Sequence, residues 1–274
     1  GLPTYSMPPS IITLEQSKFD FSEALVIVIS QSGKSADLVE CERKSRLMGA
    51  NTIIITNNIN SPIINEANYF INMFAGEEKS VAATKTFTQT LLVLIKLVFI
   101  CLDKKNINED IKKLSEIIVN DSSNEWNTDI IDKSINTGFV IGRGVGFALS
   151  NEISLKFKEL CQEMIEPFSS AEVMHGPKSL IQNSFKLFLL GMNDKSGQTV
   201  SNDVYELKNY TNLVYQMSSN KDAKSDFFYP SNKVLELDSV ILMSKFYPWI
   251  IRYTIKKGLN PDKPRYLTKV TQTF

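Results

Sequence analysis

The sequence predicts an α/β fold made of two similar, doubly wound parallel sheets. Short apolar runs rich in isoleucine and valine alternate with longer stretches of helical periodicity, and this alternation occurs twice along the chain. The chain has 274 residues and is 43% apolar, which suffices for one large α/β domain or two modest ones.

The individual elements follow from these patterns. The apolar runs predict strands at 24–29, 52–56, 69–73, 138–142, 185–191 and 212–216. The helical periodicity predicts helices at 36–48, 84–102, 107–119, 145–163, 197–209 and 238–257. The segment before residue 24 contains Pro3, Pro8 and Pro9 and is predicted to be irregular.

These elements divide the chain into four segments. A first subdomain covers 1–103 and is expected to lack its N-terminal part, because no helix and strand precede residue 24. A polar, helical bridge covers 104–136, and the second subdomain covers 137–260. The tail, 261–274, has no helical or strand period, but its mix of apolar and polar residues suggests that it packs against the protein rather than fraying.

Composition argues against several kinds of partner. The chain has 30 basic and 30 acidic residues, so nothing in its charge favours nucleic acid or a membrane surface. Cys41, Cys101 and Cys161 are scattered, which favours reduced thiols and a cytoplasmic protein. One histidine and no metal-ligand spacing predict no metal, and the lack of a nucleotide fingerprint predicts no cofactor. The longest apolar stretch, 91–102, is too short to span a membrane.

A hydroxyl-rich turn at 30–35 is the first candidate site. Gly33 permits a tight bend, and a helix is predicted to begin just behind the turn, so its exposed amides would attract an anion such as phosphate. In doubly wound sheets ligands gather at the carboxyl ends of strands, where this turn and the loop 142–144 are both expected. The alternative is an ordinary capped loop.

A second candidate lies on the helix predicted at 145–163. Glu152, Lys156 and Glu159 are spaced i, i+4 and i+7 and therefore share one helical face. A carboxylate beside a lysine on a pocket wall is suited to moving protons. The alternative is a solvated stripe of ion pairs.

Three further features could carry chemistry. The small residues of 76–88 form either a second wall of a ligand pocket or a helix start capped by Ser80 or Thr84. Histidine side chains in general are suited to moving protons near neutral pH, and His175 precedes a Gly-Pro turn that could aim its ring, although a lone histidine is often structural. Lys269, in the tail, could be held in a pocket where desolvation favours its neutral, nucleophilic form.

In this order the motifs resemble the sugar isomerase (SIS) family. They look most like its tandem-domain group, which contains the isomerase half of glutamine–fructose-6-phosphate transaminase and the related glucosamine-6-phosphate deaminases. The motifs are Ser-Gln-Ser-Gly-x-Ser at 30–35, Ser-Val-Ala-Ala-Thr-Lys at 80–85, Glu-x-x-Leu-Lys-x-Lys-Glu at 152–159, His-Gly-Pro at 175–177 and Pro-Arg-x-Leu-x-Lys at 264–269.

The resemblance implies a role for each candidate residue and a shared site at the interface of a homodimer. Glu159 would move a proton between C1 and C2 of the sugar, supported by Lys156 and Glu152. His175 would help to open the sugar ring in the neighbouring subunit's pocket, and Lys269 would close over the sugar. The substrate-binding residues would be Ser30, Gln31, Ser32 and Ser35 for the phosphate, and Val81 and Ala83 for the sugar.

Two departures from the family pattern bear on the reaction. These 274 residues contain no stretch resembling the glutaminase domain of the transaminase, and Ala83 stands where transaminases usually have serine, which is similar to the deaminase branch. The family's first strand and Gly-Ser-Ser loop are expected before Gly1. The leading hypothesis is release of ammonia from glucosamine 6-phosphate to give fructose 6-phosphate. The alternatives are a synthase isomerase domain running in the opposite direction and a non-catalytic phosphosugar sensor.

Overall fold

The computed structural model describes residues 2–15, 17–65, 67–104, 106–220 and 225–269, and for Val204 the backbone only. The predictions that fall on residue 1, on Lys105 in the bridge and on 270–274 in the tail lie outside the described residues. The chain folds as two compact units. Unit 1 comprises the described residues of Gly1–Lys79, Ala83–Val93 and Thr268–Phe274, and unit 2 comprises those of Ser80–Ala82 and Leu94–Leu267.

Unit 1 is built on a three-stranded parallel sheet of order β1-β2-β3. Val26 and Val28 point to the face of β1 where Leu38 packs, and together with Ile54 they form a small apolar core. The elements in this part of the chain are α1 Pro9–Thr13, β1 Leu25–Ser30, α2 Ala36–Leu47, β2 Asn51–Thr56, β3 Tyr69–Asn72 and α3 Lys85–Cys101.

Unit 2 contains a five-stranded parallel sheet of order β5-β4-β6-β7-β8. Numbered from β4, this is the 2-1-3-4-5 order of flavodoxin-like folds, with a switch point between β4 and β6. Its elements are α4 Ile107–Asn120, β4 Thr137–Gly142, α5 Val145–Cys161, β5 Met164–Ser169, α6 Ser170–His175, β6 Lys186–Gly191, α7 Lys195–Leu207, β7 Val214–Ser218, β8 Phe227–Phe228 and α8 Asp238–Lys256.

Both faces of this second sheet are covered, as the continuous apolar strands predict. On one face Phe139 and Leu187 pack against Val200 of α7. On the other, the ring of Phe188 packs at a tilt against that of Phe157 of α5, with 4.8 Å between the ring centroids. Side chains alternate along a strand, so one apolar run supplies two cores. The predicted α/β class with parallel sheets is therefore confirmed.

Several element predictions were wrong, each for a local reason. Residues 9–13 form α1 rather than an irregular segment, since Pro9 at its first position needs no donor. The bridge is helical only to Asn120. The helix 145–163 ends at Cys161, because Gln162 turns left-handed with φ 56°. β5 was missed because Pro167 and half-buried polar residues obscure its pattern, which an edge strand tolerates.

The described ranges contain no helix with both the length and the apolar character that crossing a bilayer would require.

A buried ionic network ties β6 to α8 in unit 2. Lys186 Nζ lies 3.0 Å from Glu163 Oε2 and donates to the Tyr253 hydroxyl at 2.9 Å, and all three side chains are fully buried. Lys257 Nζ approaches the other oxygen, Oε1, at 2.6 Å. Because charges are costly in an apolar interior, each member depends on the others.

We expect Glu163→Gln to destabilise the protein by about 3–5 kcal/mol, since it leaves the Lys186 ammonium buried without its carboxylate. The double variant Glu163→Gln/Lys186→Met removes the stranded charge and should recover much of that loss. Urea unfolding at neutral pH measures both. Equal stability of the single and double variants would contradict this account.

Candidate active site

The turn at 30–35 follows β1 directly and leads into α2. Gly33 has a φ of 63°, a left-handed conformation that favours glycine. The Gly33 N–H donates to Ser30 Oγ at 3.1 Å, and the Lys34 N–H donates to Ser32 Oγ at 3.2 Å. The serines therefore shape the turn by accepting hydrogen bonds from its backbone, and they can still donate their own hydroxyl protons.

Residues after β2 hold this turn from the side. The Asn57 N–H donates to the Gln31 carbonyl at 3.2 Å, and Asn58 Nδ2 donates to the Ser32 carbonyl at 3.2 Å. The contacts join the carboxyl ends of adjacent parallel strands, which is where doubly wound folds bind ligands.

The start of α2 is open to an anion. Ser35 is the N-cap residue but makes no side-chain cap hydrogen bond, so the first amides of α2 receive no acceptor from it. Such amides attract anions. Ser30 is buried, while Gln31, Ser32 and Ser35 are half-buried. This arrangement favours the phosphate cradle over an ordinary capped loop.

The start of α3 is filled instead by a carboxylate of the same chain. Glu78, which is 7% exposed, accepts hydrogen bonds from Thr84 and Thr86 through both their backbone N–H groups and their hydroxyls. The prediction that Ser80 or Thr84 caps this helix is therefore wrong. Thr84 donates to the cap, and the Ser80 hydroxyl donates to Asp262 at 3.1 Å. Val81 and Ala83, in the loop that follows Glu78, are half-buried.

Sequence reasoning missed Glu78. An acid six to eight residues before the helix lies outside the usual capping spacing, so only the shape of the intervening loop reveals it.

The three charged residues of α5 form one buried cluster in unit 2. Lys156 Nζ lies 2.6 Å from Glu159 Oε2 and 3.4 Å from Glu152 Oε1. The side chains of Lys156 and Glu152 are only 2% and 8% exposed, whereas that of Glu159 is 22% exposed. The alternative of a solvated ion-pair stripe is therefore wrong.

Helix α8 completes this cluster. The Tyr247 hydroxyl of α8 donates to Glu152 Oε1 at 2.8 Å. Burial raises the pKa of the Glu152 carboxyl, although Lys156 and the Tyr247 hydroxyl oppose the rise. One ammonium thus serves two carboxylates, of which Glu159 is the more accessible. That arrangement suits Glu159 to exchange a proton with a ligand.

His175 and Lys269 are the remaining residues for which a catalytic role was predicted. His175 ends α6, whose start is held by a capping box between Ser169 and Glu172, and its ring is exposed. Lys269 is also exposed, at the end of the described tail, so the expectation that a pocket buries it is wrong.

The structure thus assembles two separate parts of the expected site. Ser30, Gln31, Ser32 and Ser35 share one turn in unit 1, and the α5 cluster of Glu152, Lys156 and Glu159 lies in unit 2. Within the described ranges no group of three or more His, Cys, Asp or Glu side chains is arranged to hold a metal ion.

The sequence of the chain is similar to those of known proteins. A family model described as the SIS domain matches residues 21–100. The glutamine–fructose-6-phosphate aminotransferase (isomerizing) of Sulfolobus acidocaldarius is 34% identical over 254 residues. That match covers 89% of this chain and 42% of the relative, so the chain spans less than half the length of such curated relatives.

Solved structures share the fold. A candidate phosphosugar isomerase from Silicibacter pomeroyi DSS-3 is 27% identical with a TM-score of 0.83, over 95% of this chain and 80% of that one. A glucosamine-6-phosphate deaminase from Thermotoga maritima is 20% identical with a TM-score of 0.78, over 97% and 81% of the two chains. At that identity the second likeness shows the fold alone.

We expect Gly33→Ala to destabilise the turn strongly. A Cβ at Gly33 would lie 2.1 Å from Ser61 Oγ, in addition to the strain of a positive φ. Gly258→Ala is a matched control, since Gly258 also has a positive φ but no atom within 4 Å of its added Cβ. Urea unfolding compares the two variants. A loss at Gly33 no larger than that at Gly258 would contradict the close packing at Ser61.

We expect Lys156→Met to destabilise the protein by about 3–5 kcal/mol at pH 8, because two carboxylates lose their buried ammonium. The loss should shrink as the pH falls toward 5. A carboxyl whose folded pKa is raised destabilises the fold only when ionised, and removing Lys156 raises the pKa of Glu152 further. Urea unfolding between pH 5 and pH 8 measures this loss of stability, and Lys158→Met is the control because the Lys158 side chain is exposed. A pH-independent loss would count against the cluster.

Proposed function

We propose that the chain, whose residues 21–100 match the SIS-domain model, is a phosphosugar enzyme of the isomerase type. Its reaction is the conversion of glucosamine 6-phosphate and water into fructose 6-phosphate and ammonia. The observation that carries the proposal is the α5 cluster, in which the accessible Glu159 is paired with a buried Lys156. Such a carboxylate is a suitable base for a proton on carbon.

In the proposed reaction Glu159 acts twice, first as a base at C2 and then as an acid at C1. In the open-chain sugar, Glu159 takes the proton from C2, and the electron pair left there forms a C1–C2 double bond while the aldehyde oxygen takes up a proton. Glu159 then returns its proton to C1, which leaves an imine between C2 and nitrogen. Water adds to that imine, the C–N bond breaks, and ammonia and the C2 ketone of fructose 6-phosphate result.

The remaining residues have supporting roles in this proposal. Lys156 stabilises the Glu159 carboxylate, and Glu152 with its Tyr247 hydrogen bond holds Lys156 in place. His175 assists ring opening, and Lys269 closes over the sugar. The open start of α2 and the hydroxyls of Ser30, Ser32 and Ser35, with Gln31, hold the phosphate. Val81 and Ala83 line the sugar.

The assembly and location are also part of the proposal. We propose a homodimer in the cytoplasm in which His175 of one subunit serves the site of the other. The exposure of His175 at the end of α6 is consistent with such a role, because its ring is free of the protein interior.

A second candidate function is the isomerase step of an aminotransferase, with ammonia entering rather than leaving. The identity to the Sulfolobus aminotransferase over 89% of this chain favours it. Supplying fructose 6-phosphate with ammonia, and separately with glutamine, and assaying glucosamine 6-phosphate distinguishes the two directions. A raised melting temperature with sugar phosphates but no turnover would instead indicate a non-catalytic sensor.

We expect Glu159→Gln to lower turnover of glucosamine 6-phosphate by about 10²–10⁴-fold, because it removes the base but keeps the shape of the side chain. Ammonia and fructose 6-phosphate are assayed together, which also checks that they form in equal amounts. Glu166→Gln is the matched control, since the Glu166 side chain is 46% exposed and forms a surface ion pair with Lys158. Wild-type activity in Glu159→Gln would remove the proposed base.

A further inference from the structure

We propose that Asn57 and Glu78 are positioning residues that set the distance between the phosphate-holding turn and Ala83, and thereby the length of sugar phosphate that the site accepts. The inference rests on the proposed function and deepens it. Neither residue is among the predicted site residues, and both act through the backbone that they hold in place.

Asn57 links the turn to the segment after β3. Its backbone N–H donates to the Gln31 carbonyl at 3.2 Å. Its side chain binds residues 75–76 by two hydrogen bonds: Nδ2 donates to the Gly76 carbonyl at 2.6 Å, and Oδ1 accepts from the Ala75 N–H at 2.9 Å. One residue therefore holds the turn through its backbone and residues 75–76 through its side chain.

Glu78 fixes the far end of the same segment. Its Oε2 accepts from the Thr86 hydroxyl at 2.6 Å and from the Thr86 N–H at 2.9 Å. The Thr84 N–H and hydroxyl, both at 3.2 Å, and the Lys85 N–H at 3.4 Å supply further donors. Burial alone would raise the pKa of Glu78, but the bonds from Thr86, Thr84 and Lys85 outweigh it and lower that pKa. The carboxylate is therefore ionised at neutral pH.

These contacts do more than cap a helix. A serine or threonine beside the helix start would satisfy its amides with no effect on the preceding chain. Glu78 reaches back over residues 79–83 and closes them into a loop, so both ends of the loop that carries Ala83 are fixed. Contacts then run without a break from Gln31 through Asn57, residues 75–76 and Glu78 to Thr84.

When the distance between the 30–35 turn and the loop that carries Ala83 is fixed, the site favours ligands whose phosphate and sugar are separated by that distance. Inorganic phosphate needs only the turn, whereas fructose 6-phosphate needs the turn and the loop. Loosening the loop should leave phosphate binding unchanged and weaken binding of the sugar phosphate. It should also reduce the preference for fructose 6-phosphate over the shorter ribose 5-phosphate.

The test compares Glu78→Gln with Glu77→Gln, whose exposed side chain makes only a surface ion pair with Lys79. Calorimetry with inorganic phosphate, fructose 6-phosphate and ribose 5-phosphate gives the affinities. Gln presents one acceptor and one donor to a cluster of donors, so we expect about tenfold weaker fructose 6-phosphate binding and unchanged phosphate binding. Asn57→Ala should change these affinities in the same way as Glu78→Gln. In turnover of glucosamine 6-phosphate, both variants should raise KM more than they lower kcat.

The outcomes separate this inference from the proposed function. If wild-type protein binds no sugar phosphate, both fail. If it binds fructose 6-phosphate and Glu78→Gln binds equally well, only this inference is overturned. Should Glu78→Gln not fold, Thr86→Val removes the 2.6 Å donor alone, with Thr86→Ser as the restoring variant. Equal affinities in Thr86→Val and Thr86→Ser would also overturn the inference.

Discussion

The burial of the Lys156 ammonium between two carboxylates is the interaction on which the proposed chemistry of unit 2 depends. In an apolar interior such a charge persists only when its partners are close and themselves hydrogen-bonded. Glu159 meets it at 2.6 Å, and Glu152 is held in turn by the Tyr247 hydroxyl. The two covered faces of the second sheet create the interior that makes this pairing strong. The same interior leaves Glu159 as the member of the cluster that a ligand can reach.

In unit 1 the corresponding question is which helix start receives a negative charge. This unit has two long helices whose first amides attract anions, and the chain treats them differently. The start of α3 is occupied by Glu78, while the N-cap residue of α2 leaves the first amides of that helix without a side-chain acceptor. Of these two helix starts, only that of α2, beside the hydroxyls of the 30–35 turn, lacks a carboxylate of the chain among the described residues, which favours it for the proposed phosphate. That selectivity arises from where the chain places its own carboxylate.

The accuracy of the sequence prediction followed the strength of the local signal. Strands β1, β2, β4 and β6 were placed within one residue at each end, because each is a short and nearly continuous apolar run bounded by polar or small residues. β5 and the two-residue β8 were missed, since an edge strand with a proline and a strand that short have no distinctive period. Helix α7 begins at Lys195, two residues before the predicted start, because the Asp194 side chain accepts a hydrogen bond from the Gly197 N–H.

The sequence by itself determined which residues share a face or a turn. Helical spacing placed Glu152, Lys156 and Glu159 together, and Gly33 among hydroxyl residues marked the turn. Tertiary structure decided whether that face met water or the core, because its burial depends on Tyr247, 95 residues from Glu152 along the chain. It also decided that Glu78 caps α3 and that Lys269 is exposed. Periodicity is a local property, whereas desolvation and capping depend on what folding brings alongside.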